Sequence, residues 1–147
     1  MFTGEAYKTQ ETLSETLKQL WNASTTGIPG QDDLGQMSSW YVFSSLGVYP
    51  LYPGRSDLVL SSPFFSDAKI GNITIRAHGV SSATTYIQSL TVNGEVSSKS
   101  WIDEAHVHQP VHLEFELSHE ANRNWGQLPE DRPPSYSVDE DEHLSQQ

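Results

Sequence analysis

Two adjacent carboxylates, Asp32 and Asp33, lie in the run Gly27-Ile28-Pro29-Gly30-Gln31-Asp32-Asp33-Leu34-Gly35-Gln36. Gly27, Pro29 and Gly30 are turn residues. From Gln36 the pattern changes to an apolar helix over 36–46, closed by Gly47 and then Pro50. The spacing therefore sets both acids where a glycine-rich turn enters a helix. Such a turn lets the backbone approach a ligand closely. A helix N-terminus offers unpaired N–H groups and the positive end of a dipole, which hold a carboxylate ionised. An ionised carboxylate on a fixed turn suits a general base or a ligand for a hard cation. The same residues also admit a structural role. Asp33 followed by Gln36 has the form of a capping box, which would leave Asp32 as a solvated neighbour.

Other chemistry-bearing residues are weaker. His106-Val107-His108, if extended, would put two rings on one side, and His112 could complete a transition-metal site. Pro110 interrupts that segment, and exposed loop or strand histidines are the plainer reading. The chain has no cysteine, so it has no disulfide framework and no thiolate ligand or nucleophile. A G-x-S-x-G elbow, a P-loop and a G-x-G-x-x-G fingerprint are all missing. Trp101 and Tyr86 could offer stacking faces to a sugar, although aromatic residues at such positions are mostly core. Asn22-Ala23-Ser24 and Asn72-Ile73-Thr74 are N-glycosylation triplets that would matter only on a secretory route.

The elements that must position these residues follow from periodicity. Residues 8–22 read as an amphipathic helix whose stripe is Leu13, Leu17, Leu20 and Trp21, with Thr9, Thr12 and Glu15 as cap chemistry. The helix over 36–46 is apolar on most sides through Met37, Trp40, Tyr41, Val42, Phe43 and Leu46. A helix of that kind belongs inside a larger helical assembly. Residues 48–56 read as an irregular crossover. After them the period falls to 2, with strands at 58–60, 68–70, 73–77, 85–92, 95–98 and 111–117. Asn93-Gly94 is a type I′ hairpin signal.

The run GIPGQDDLGQMSSWYVFSSLGVYPLYPG resembles the signature near the C-terminal end of glycoside hydrolase family 92, a family of calcium-dependent, inverting, exo-acting α-mannosidases. YKTQETLSETLKQLWN before it is similar to the helix preceding that signature. SSPFFSDAKI and IQSLTVNGEVSSKSWI after it are similar to the family's last β segment. The resemblance covers roughly residues 4–117. It implies an α+β fold: the last helices of an (α/α)6 catalytic barrel over 1–53, a small antiparallel β segment over 54–117, and a disordered acidic tail over 118–147. It assigns Asp33 as general base, with Asp32 assisting. Gln31, Gln36 and Trp40 lie on the substrate side. It also implies calcium, held mostly by residues outside this chain, with metal ligands within the chain left unassigned. The substrates implied are terminal α-mannosides, of α-1,2 type, in N-glycan or mannan. The family's general acid lies upstream of the signature in a segment with no counterpart here. Glu5, Glu11 and Glu15 precede the motif without an acid signature. The resemblance therefore describes the C-terminal part of an α-mannosidase, inactive by itself, whose partners are mannose-containing oligosaccharides or glycoproteins and the N-terminal part of the enzyme. A carbohydrate-binding or interaction module without catalysis is the competing reading, and a calcium-binding structural domain built on Asp32 and Asp33 ranks below it.

Composition bounds the rest. The 147 residues make one domain's worth of chain, with 35% hydrophobic residues and a mean hydropathy of -0.51. Net charge is -11, and the tail over 118–147 is acidic, with a run at 139–142. That tail combines proline with few apolar residues, a composition that cannot offset its ordering entropy, although Trp125 could dock its start on the body. No basic patch marks a nucleic-acid or anionic-lipid partner. No apolar run is long enough to span a membrane. The N-terminus has no signal-peptide pattern, which leaves the compartment open, although full-length relatives are often secreted or periplasmic.

Overall fold

The computed structural model describes residues 1–135. Helix α1 spans Ala6–Leu20 and helix α2 spans Gln36–Ser45. Eight strands follow. They are β1 Val48–Tyr49, β2 Leu58–Leu60, β3 Asp67–Ile70, β4 Ile73–His78, β5 Tyr86–Val92, β6 Glu95–Ser97, β7 Trp101–Ile102 and β8 Val111–Ser118; the short helix α3, Glu104–Val107, lies between β7 and β8. The fold is mixed α+β with two small sheets. One has the order β1-β2-β7 and the other β3-β4-β8-β5-β6.

The sheets form where apolar residues alternate. In β8, Val111, Leu113 and Phe115 are buried while His112, Glu114 and Glu116 face out, the period of 2 that a one-sided sheet requires. Ile73, Ile75 and Ala77 of β4 and Ile87 and Leu90 of β5 complete the same inner face. The sheet is not wholly antiparallel as expected. β4 and β8 run parallel, with Ile75 opposite Leu113 and Ala77 opposite Phe115. A parallel pair needs a long crossover, and here that crossover contains β5, β6, β7 and α3. The Asn93-Gly94 hairpin forms as expected. φ is 53° at Asn93 and 83° at Gly94, and Val92 pairs with Glu95.

The helices differ from their expected register. The buried side of α1 is Ala6, Gln10, Ser14 and Leu17, while Leu20 is 50% exposed. Two polar residues are buried there because β5 supplies partners. Gln10 Oε1 accepts the Ile87 N–H at 2.9 Å, and Ser14 meets Thr85. The N-terminal cap of α1 is Glu5, without a side-chain bond, so the expected cap through Thr9 and Thr12 is not formed; Thr9 Oγ1 instead accepts the Met1 ammonium. α2 ends as expected at Gly47, whose φ of 78° and contact with Ser61 O leave no room for a Cβ. The expected irregular crossover over 48–56 contains β1, because Val48 and Tyr49 pair with β2.

The expected disorder from residue 118 onward is corrected over the described part. Trp125 and Asp131 are buried. Asp131 accepts the Ser98 hydroxyl at 2.6 Å, and the Ser100 N–H and hydroxyl both bond its carbonyl. A few well-placed groups order this polar segment against the sheet despite its composition. Residues 136–147, with the acidic run at 139–142, lie outside the described residues.

Candidate active site

The turn before α2 is backbone-strained. A 3-10 turn at Asp33–Gly35 holds Leu34 at φ 51°, ψ 27° and Gly35 at φ 82°. A left-handed leucine is uncommon, and such strain persists only where the surroundings impose it. Leu34 is fully exposed, so its side chain does not hold the turn. The Gly35 N–H donates to Asp32 O at 2.8 Å. The Asp32 carboxylate closes the turn over the start of α2: Oδ1 accepts the Ser38 N–H at 2.9 Å and Oδ2 accepts the Ser38 hydroxyl at 2.6 Å. Those two donors hold the Asp32 carboxyl below its usual range, the hydroxyl contributing most.

The capping box expected of Asp33 and Gln36 is therefore not formed. The residue before α2 is Gly35, which has no side chain to cap with, and Asp32 supplies the capping oxygens from further back. Asp33 is left exposed on the outside of the turn, as are Gln31 and Gln36. Two neighbouring carboxylates thus have different roles available. Asp32 is a fixed, ionised acceptor, and Asp33 is a solvent-facing carboxylate.

Beside this turn lies a cleft of about 390 Å³, bordered by Trp21, Asn22, Gly27, Ile28, Ser38, Tyr41 and Val42. Its aromatic wall was not anticipated. Trp21 leaves the end of α1 and stacks on Trp40 at 4.8 Å and on Tyr41 at 5.7 Å between ring centroids. Trp40, expected on the substrate side, has one face covered by Trp21 and lines a separate apolar recess of about 270 Å³ with Leu13 and Val48. Period-3.6 reading placed Trp21 on the helix stripe. The sequence signal for its true place was the pair Trp40-Tyr41 directly after the turn.

The other candidates are accounted for. Glu5 bonds Lys8 and the Tyr7 hydroxyl. Glu11 and Glu15 stand by Tyr86, whose phenol is raised by burial and by those carboxylates. None of the three is directed at the turn. The histidines do not gather. His106 is on α3 and His108 caps its C-terminal end, so neither is on an extended strand; they meet Asp103 at 2.7 Å and Glu104 at 3.3 Å. His112 points outward from β8. Trp101 lies beneath the Lys99 ammonium at 5.2 Å, which covers the stacking face expected of it. Among the described residues no group of three or more His, Cys, Asp or Glu side chains could hold a metal ion. Asp32 has both oxygens engaged by Ser38, so the residues of this chain do not by themselves fit calcium, which takes 6–8 oxygens.

Comparison with known structures defines the class first. The fold matches a family 92 alpha-mannosidase of Bacteroides thetaiotaomicron, solved in complex with mannoimidazole, with a TM-score of 0.86 and 28% identity over 92% of this chain and 19% of that one. It also matches a family 92 inverting mannosidase of the same organism, with a TM-score of 0.81 and 28% identity over 90% of this chain and 19% of that one. These are glycosidases. The chain belongs to glycosyl hydrolase family 92, whose catalytic-domain model matches residues 1–119. An uncharacterized secreted glycosidase of Arthroderma benhamiae is 34% identical over 123 residues, 78% of this chain and 16% of that protein. The chain thus spans less than a fifth of the length of these relatives. The family match runs through both the helical part and the β segment, which does not favour a free-standing carbohydrate-binding module.

Proposed function

We propose that this chain forms the C-terminal part of the catalytic region of an α-mannosidase that removes terminal α-mannose with inversion, α-1,2-linked in N-glycans or mannan. In this reading α1 and α2 within 1–53 are helices of an (α/α)6 barrel, and 54–117 is the β segment that follows it. The exposed apolar side chains Leu20, Leu34 and Val42 are faces that the rest of the barrel covers. Likeness to a glycosidase described as secreted supports a secretory route for this chain too.

An inverting glycosidase sets an acid and a base roughly 6.5–9.5 Å apart, with a water between the base and the sugar. Asp33 is the base. It is exposed and unclamped, so it can take the proton of an attacking water. Asp32, fixed by Ser38, accepts a hydrogen bond from that water or from a sugar hydroxyl and aims it. Gln31, Gln36 and the cleft residues Trp21 and Tyr41 bound the sugar, with Trp40 stacked behind Trp21. The acid comes from a segment upstream of this chain. Calcium, where the assembled enzyme uses it, supplies Lewis acidity at sugar hydroxyls and is held largely by that upstream segment. The single observation carrying the proposal is the strained turn that clamps Asp32 on Ser38, a residue of the cleft wall, and leaves the neighbouring Asp33 exposed.

The test is turnover of an aryl α-mannoside and of α-1,2-mannobiose with calcium. The 147 residues alone should give none. Joined in frame to the preceding family 92 segment they should turn over substrate, and Asp33→Ala should lower kcat by about 10²–10⁴-fold. Turnover by the chain alone that Asp33→Ala abolishes would refute the need for an upstream acid. Undiminished turnover by the joined Asp33→Ala variant would refute the base.

A further inference from the structure

The two N-glycosylation triplets are used neither by the fold nor by the proposed chemistry, and the structure separates them. Asn22 sits in a tight loop. Its Oδ1 accepts the Ser24 N–H at 3.0 Å, its N–H donates to Gly27 O at 3.1 Å, and a Cβ on Gly27 would fall 1.9 Å from its carbonyl oxygen. Asn22 also borders the cleft, together with Ser38. An oligosaccharide there would fill the opening through which a mannoside must pass. Asn72 is different. Like Asn22 it is exposed, but it lies in the two-residue Gly71-Asn72 turn between β3 and β4. Only its backbone is engaged, by the Val111 N–H at 3.0 Å, and none of the described residues bonds its side-chain amide. It stands at the rim of a recess of about 410 Å³ walled by Phe43, Leu58, Ile70 and Ile73, which leaves room for a first sugar. Thr74, the third residue of the triplet, is the second residue of β4.

We propose that Asn72, and not Asn22, is an N-glycosylation site of this chain. The reading rests on the secretory route proposed above. The donor is an oligosaccharide carried on a lipid diphosphate. The Asn72 Nδ2 attacks the anomeric carbon, a C–N bond forms as the C–O bond to the diphosphate breaks, the lipid diphosphate leaves, and the amide proton passes to a base of the transferase. Nothing is oxidised or reduced. The glycan then projects from the β3–β4 turn, which is not part of the cleft wall, so the modified chain folds and its cleft stays open.

The experiment expresses the full 147-residue chain behind a secretion leader in yeast and reads total lysate and medium on a denaturing gel, with and without an endoglycosidase. One endoglycosidase-sensitive step is expected. It should vanish in Asn72→Gln and equally in Thr74→Ala, which spares the asparagine, and it should persist in Asn22→Gln. No step, two steps, or loss of the step in Asn22→Gln would overturn the proposal. Because the leader forces entry, these outcomes judge the site alone. The secretory route is judged separately by the location of the protein in its own cells, and the catalytic reading by the turnover assay.

Discussion

Replacing Trp125 by alanine measures whether the polar segment after β8 belongs to the folded body. The ring is 5% exposed. A buried aromatic side chain removes about 150–250 Å² from water, which at about 25 cal/mol per Å² corresponds to about 4–6 kcal/mol. Its indole N–H is buried without a partner among the described residues, and an unpaired buried donor opposes burial by about 1–3 kcal/mol. The cavity cannot collapse easily, since Gly126 beside it packs so closely on Ala6 and Ser100 that a Cβ there would lie 3.0 and 3.2 Å from theirs. The net expected loss for Trp125→Ala is about 3 kcal/mol, within the span of about 3–5 kcal/mol typical of tryptophan deletion. With a urea slope of about 2 kcal/mol per M, the unfolding midpoint should fall by about 1.5 M. Far-UV circular dichroism and the fluorescence of the three remaining tryptophans should report the same transition. A midpoint shifted by less than about 0.3 M at that slope would mean that residues 119–135 are peripheral, and the account of the ordered segment would fall.

Three further outcomes are expected. Gly47→Ala puts a Cβ 2.6 Å from Ser61 O at φ 78° and should destabilise by about 2 kcal/mol or more, read as a lowered Tm. Ser38→Ala removes the hydroxyl that bonds Asp32 Oδ2. The Asp32 carboxyl should titrate higher in a carbon-13 NMR titration of its side chain. Because its folded pKa is lowered, this contact stabilises above the ordinary carboxylate pKa and is lost as pH falls through the folded one, so the variant should lose that acid-side dependence. His78 Nε2 meets Glu114 at 2.9 Å, and Glu114, then Glu116, raise its pKa. A raised histidine stabilises fully below its unfolded value of about 6.5 and loses that contribution as pH climbs through the folded value. The urea midpoint should fall with rising pH across that window, and Glu114→Gln should flatten the fall.

By itself the sequence determined several features that depend on neighbours along the chain, although not the caps of α1 and α2. The glycine-rich turn entering α2, the alternation in β4, β5 and β8, the Asn93-Gly94 hairpin and the family signature are all set by residues within a few positions of one another, so local sterics and periodicity reveal them. Tertiary structure alone decided the rest. That Asp32 and not Asp33 is clamped depends on how the strained Leu34-Gly35 pair folds the turn back over Ser38. The parallel pairing of β4 with β8 and the polar buried face of α1 depend on partners dozens of residues away. Trp21 joins the cleft wall because α2 folds back against the end of α1. A polar segment is ordered around Trp125 and Asp131 because the sheet edge supplies Ser98 and Ser100 at hydrogen-bonding distance. No local pattern encodes those distances, because packing and hydrogen bonding between remote segments fix them only once the chain has folded.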